Sequence, residues 1–213
     1  MPTAAPTPTL TQAHTVAPYF FAMASARDVE MAVEAVKVNG LWLAVLREDL
    51  RAEREVVNEA VQQNGLALEH AEKSLRSDRD IVLTAVRQHG LALEYADKSL
   101  RANKEVVLTA VTQYGDALRH VASSLRNDKE VVLVAVTHCG TALWFTEYKI
   151  RGDKEIVLVA VKQSGLALRF AAQYLRADKE VVLAAILQNP GAILHASDKI
   201  QSDTAWQCSI GRP

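Results

Sequence analysis

Arginine stands at positions 51, 76, 101, 126, 151 and 176, one every 25 residues. Six guanidiniums along one edge would suit an anionic polymer, because each offers a planar fork of donors to phosphate or carboxylate. Yet each lies two residues before an Asp, Glu or Asn and four before a further Glu or Asp. The arginines are therefore expected to serve helix ends and neighbouring carboxylates. Histidines 70, 120 and 195 also share one register. At roughly 8–10 Å per stacked helical layer they stand about 20 Å or more apart, too far for one metal ion. His138 beside Cys139 reads as a histidine at a helix C-terminus next to a half-buried thiol. No GxSxG, P-loop, GxGxxG or HExxH pattern occurs. The residues point to no enzyme, no cofactor and no metal. Acid–base chemistry by the histidines is the alternative, and anionic-polymer binding the third reading.

The step of 25 that spaces these residues runs through the whole chain. Gly40, Gly65, Gly90, Gly115, Gly140 and Gly165 keep it, as do Asp28, Glu53, Asp78, Asn103, Asp128, Asp153, Asp178 and Asp203. Ala35, Ala60, Ala85, Ala110, Ala135, Ala160 and Ala185 follow suit. Seven units fill residues 28–202. Such regularity defines a repeat architecture in which no single unit can bury its own apolar face.

The unit at 128–152 shows the design. Asp128 is placed to cap a helix and Glu130 favours its positive end. Val131, Val132, Ala135 and Val136 make a helical stripe. Gly140 is expected to end the helix as a left-handed residue. A second short helix then buries Ala142, Leu143, Thr146 and Ile150. The apolar arc of the first helix, widened by Leu133 and its equivalents, spans roughly 200°, so it should touch its partner helix and both neighbours. The expected fold is all-α, an α-solenoid of seven two-helix repeats with degenerate caps.

The unit DKEVVLxAVxQxGxALxxAxxxLRxD resembles the repeat of the domain-of-unknown-function 4116 family over residues 28–202. The resemblance implies a repeat-built helical scaffold and brings no activity with it. The match is weakest in the first copy, where Trp42 fills a small-residue place, and in the seventh, which has Pro190-Gly191.

Residues 1–14 are rich in Pro, Thr and Ala and read as a flexible leader. Residues 15–27, with Tyr19, Phe20, Phe21 and Met23, read as a degenerate N-terminal cap; a secretory signal is the rival, opposed by Pro18 and by the lack of Lys or Arg before Arg27. Residues 203–213 read as a C-terminal cap fragment, with Trp206 covering the last layer. Lys plus Arg number 24 against 25 Asp plus Glu, a net charge of −1, which disfavours nucleic acid as a partner. No apolar run is long enough to span a bilayer. Cys139 and Cys208 form no metal or disulfide pattern, and a reducing interior, the cytoplasm by default, is expected.

One stretch breaks the monotony. Along the first helices, Glu34, Glu59, Thr84, Thr109, Val134, Val159 and Ala184 share a column that loses charge toward the C-terminal half, as does the column ending in Leu187. Trp144 and Tyr148 lie four apart, where other copies carry Glu69, Lys73, Glu94 and Lys98. Tyr174 follows one repeat later. Aromatic anchors favour interfaces. The candidate surface for a protein or peptide partner is thus Trp144, Tyr148 and Tyr174 with Val134, Val159 and Leu187, on a scaffold without catalytic residues that binds such a partner or serves as a structural subunit of a larger assembly.

Overall fold

Asp128 starts the long helix of the fifth repeat, its carboxylate accepting from the amides of Glu130 at 3.0 Å and Val131 at 3.2 Å. Two amides that the helix itself cannot satisfy are thereby paired. Asp78, Asn103, Asp153 and Asp178 do the same in their repeats. The helix runs Lys129–His138 and buries Val131, Val132, Ala135 and Val136 completely. The computed structural model describes residues 27–209, and every regular element among them is helical. The leader, the N-terminal cap apart from Arg27, and residues 210–213 lie outside the described residues.

The glycines act differently from the expectation. Each long helix ends one residue earlier, on an extended residue such as Cys139 (φ −145°, ψ 100°), and glycine opens the next element. None of the six repeat glycines is left-handed. Instead, a Cβ on Gly140 would stand 2.3 Å from the carbonyl oxygen of Ala160, and the other five meet the matching alanine at 2.2–2.4 Å. Glycine is required because the helix of the following repeat lies against its Cα. Gln63, Gln163 and Gln188 reinforce this contact by accepting from the amides of Gly40, Gly140 and Gly165 at 2.7, 2.6 and 2.5 Å.

The second helix of each unit is also not one α-helix. A six-residue 3-10 helix, Gly65–His70 in the second repeat, is followed by a bend and a short closing turn, Leu75–Ser77. The break occurs where the amide of Glu72 donates to the carbonyl of Arg51 in the preceding repeat, at 2.9 Å. Asp97 and Ala122 bond to Arg76 and Arg101 in the same way. An amide engaged across repeats cannot continue its own helix. In the first, fifth and seventh repeats the closing turn is α-helical: Glu48–Arg51, Tyr148–Arg151 and Asp198–Gln201.

These elements stack in two layers. Long helices pack on long helices of adjacent repeats and 3-10 helices on 3-10 helices. Each long helix also packs against the 3-10 helix of its own repeat and of the one before. The core between the layers is continuous from Ala32 to Ile200. At its C-terminal end Trp206 lies half-buried against this core, with the Lys179 ammonium 5.7 Å from its ring centroid.

Candidate functional site

A ladder of ion pairs that the sequence reading passed over runs along the capped edge. The residue after each cap is basic, and it reaches the cap of the next repeat. Lys104 bridges Asp128 and Glu130 at 2.8 and 2.9 Å, and Lys154 bridges Asp178 and Glu180 at 2.7 and 2.8 Å. Arg54 pairs with Asp78, Lys129 with Asp153, and Lys179 with Asp203. Arg79, facing the neutral Asn103, pairs with Glu105 instead. The readable signal was a base 24 residues before an acid in five of six consecutive copies, Asn103 being the exception. Asp128 and Asp153 are held below the usual carboxylate range, first by the hydrogen bond from lysine and then by the helix amides.

Because these carboxylates are already engaged, the arginine ladder is left without them. This corrects the carboxylate part of the sequence expectation. None of Arg51, Arg76, Arg101, Arg126, Arg151 and Arg176 forms an ion pair among the described residues. Two are satisfied by backbone: the Nε of Arg151 donates to the Thr146 carbonyl at 3.0 Å and that of Arg176 to the His195 carbonyl at 2.6 Å. The Nε atoms of Arg51, Arg76, Arg101 and Arg126 are buried with no acceptor. A buried unmatched donor costs about 1–3 kcal/mol.

Half-buried, Arg51, Arg76 and Arg101 line clefts between successive repeats. One, of about 210 Å³, is walled by Glu48, Arg51, His70, Glu72, Lys73 and Arg76. The next, of about 280 Å³, shares Lys73 and Arg76 and adds Glu94, Tyr95, Asp97, Lys98 and Arg101. Burial lowers the pKa of His120 and of His195, and Glu94, 3.7 Å from His120, partly offsets this for the former. Among the described residues no group of three His, Cys, Asp or Glu is arranged to hold a metal ion.

The fifth and sixth repeats hold three exposed aromatics on the same 3-10 layer. Trp144 is 55% exposed, Tyr148 69% and Tyr174 59%. They gather round the turn Tyr148–Arg151. Tyr148 begins it, the Tyr174 hydroxyl donates to the carbonyl of Gly152 just beyond it at 2.5 Å, and Arg151 within it covers the Trp144 ring. The other edge of Trp144 leans on Phe170, with ring centroids 5.1 Å apart. Thr146 is buried, its hydroxyl donating to the Leu143 carbonyl at 2.8 Å.

The remaining candidates fall elsewhere. Val134 and Val159 are half-buried against the core rather than facing solvent, because adjacent long helices cover that column. Leu187 is 78% exposed but belongs to the long-helix layer, away from the aromatic cluster.

The model of a family described as a domain of unknown function (DUF4116) matches residues 53–101, 103–151 and 153–201. The chain belongs to the DUF4116 family. Each match spans two 25-residue units, so the family's element is a pair of the repeats described above; the first repeat, with Trp42, lies outside the matches. Neither a curated protein nor a solved structure matches the chain. No described helix is long and apolar enough to cross a membrane.

Proposed function

We propose that this DUF4116 chain is a non-enzymatic scaffold that binds a protein or peptide partner along its 3-10 layer. The observation that carries this reading is the clustering of Trp144, Tyr148 and Tyr174, all more than half exposed, round one turn, at positions where the other repeats carry no aromatic residue. A solvated surface does not need three large rings together, whereas an interface gains contact area from them at little cost in rotamer freedom. The rings are also held in place. Phe170 and Arg151 support Trp144, and the bond to Gly152 fixes Tyr174. Preorganised anchors of this kind reduce the entropy lost on binding.

The test is affinity capture from the native host with the parent chain, with Trp144→Ala/Tyr148→Ala, and with Gln62→Ala/Arg87→Ala on the exposed long-helix layer. The aromatic variant should lose about 2 kcal/mol or more of partner affinity, the scale of an interface anchor, with its circular dichroism unchanged. The long-helix variant should bind as the parent does. Equal losses from both variants would remove the aromatic turn from the interface.

A further inference from the structure

We propose that the arginine ladder of repeats one to four binds an extended acidic peptide, one carboxylate per repeat. The inference rests on the scaffold reading above and adds the chemistry of the partner. Its starting point is the contrast within the ladder. Arg151 and Arg176 have their Nε donors satisfied by the Thr146 and His195 carbonyls, while Arg51, Arg76, Arg101 and Arg126 have neither backbone acceptor nor ion pair. Four consecutive arginines thus stand in register without an ion pair, and the first three line open clefts that share Lys73 and Arg76 as a common wall.

Spacing and charge then narrow the ligand. Layers of packed helices recur at about 8–10 Å, and an extended peptide advances about 10 Å in three residues. A peptide with an acid at every third position therefore meets one arginine per repeat. A continuous polyanion fits less well, because Glu48, Glu72, Glu94 and Asp97 stand on the same walls as the arginines. These carboxylates would repel every phosphate that passes between two guanidiniums, whereas the neutral residues of a peptide pass them without penalty. Two of them are held ionised, Glu72 accepting from the Ser74 amide at 2.5 Å and Asp97 from the Ser99 amide at 2.9 Å, with Arg76 and Lys73 adding to the effect, so negative charge persists between successive arginines. At the C-terminal end the fifth arginine, Arg151, covers Trp144. The acidic track therefore runs into the aromatic turn on one face.

The experiment uses the full chain and a fluorescein-labelled peptide of Gly-Ser-Glu units long enough to span four repeats. A Gly-Ser-Gln peptide of equal length is the control, and fluorescence anisotropy at low salt is the readout. The Glu peptide should bind and the Gln peptide should not. Replacing Arg51, Arg76, Arg101 and Arg126 together by Gln should weaken binding by on the order of tenfold or more, as expected when charge partners are removed. The quadruple Arg→Lys variant should keep a measurable part of it. If the quadruple Gln variant does not fold, Arg76→Gln alone, at the wall common to both clefts, should still weaken binding. Equal binding of the two peptides, or Glu-peptide binding unchanged by the arginine substitutions, would overturn the inference. So would tighter binding of polyphosphate or oligothymidylate that the same substitutions abolish, since the site would then be one for a continuous polyanion. The scaffold reading is tested separately. If the Glu peptide fails to bind while Trp144→Ala/Tyr148→Ala still abolishes partner capture, the acidic track is lost and the aromatic interface stands.

Discussion

A Cβ added to Gly90 would stand 2.4 Å from the carbonyl oxygen of Ala110, one repeat further on. The same contact recurs from Gly40 with Ala60 to Gly165 with Ala185. Both residues of the pair are needed small, glycine to admit the neighbouring backbone and alanine to let the long helix approach. The spacing of the layers is set at these points, and with it the spacing of everything displayed on the 3-10 face.

Gly90→Ala should therefore destabilise the chain by about 1–3 kcal/mol, the range for overpacking. The obstructing atom is a backbone oxygen, which cannot rotate away. Ala110→Phe attacks the same contact from the fully buried side and should cost a similar amount. Gly191→Ala is the control, because its Cβ would meet only the Asn189 side chain, at 3.2 Å. Denaturant midpoints compare the three. An unshifted midpoint for Gly90→Ala would mean that the layers can separate at no cost.

Period and burial were legible because both are written in residue type. Val131, Val132, Ala135 and Val136 fall on one stripe at helical spacing and are buried as that stripe requires. What a single repeat could not disclose is contact between repeats. Gly140 looked like a helix terminator because its own neighbours in sequence permit that role; its reason lies at Ala160. The second helix looked continuous because nothing in Gly65–Ser77 forbids it. The interruption comes from the bond between Glu72 and Arg51. The arginines were assigned to carboxylates close in sequence, whereas Lys104 and its equivalents reach the same carboxylates from a full repeat away. Trp144 and Tyr148 were legible as departures from the pattern, and Val134 and Val159 were misplaced by a wheel that sees one helix without its neighbours.

The caps offer a test in both directions. Asp128→Ala removes an acceptor for two helix amides and should cost about 1 kcal/mol. Glu53 occupies the equivalent place in the second repeat and makes no side-chain bond to the helix that follows, because its extra methylene carries the carboxylate past the amides. Glu53→Asp should stabilise the chain by a few tenths to about 1 kcal/mol and so raise the denaturant midpoint. A lower midpoint would show that Glu53 is engaged in another way.

Acid should weaken the solenoid in two stages of the same sign. Burial is the largest influence on His120 and His195 and lowers their pKa values. Protonation is then easier in the unfolded chain, so the stability from the neutral rings is complete above the unfolded value of about 6.5 and is lost as pH falls through the folded pKa. The cap carboxylates follow at lower pH. Lysine hydrogen bonds lead the lowering at Asp128 and Asp153; at Asp178 burial acts upward and is outweighed by Lys154 and the helix amides. Their contribution is complete above the unfolded aspartate value of about 3.9 and disappears as pH falls through the lower folded values. The denaturant midpoint should thus hold steady above neutrality, decline below about pH 6.5 and fall again below about pH 4. His120→Gln/His195→Gln should abolish the first decline and leave the second. Asp128→Asn/Asp153→Asn keeps acceptors at both caps and should soften the second while sparing the first. A parent midpoint that does not move between about pH 7 and pH 5 would mean that the histidine rings protonate as freely in the folded chain as in the unfolded one.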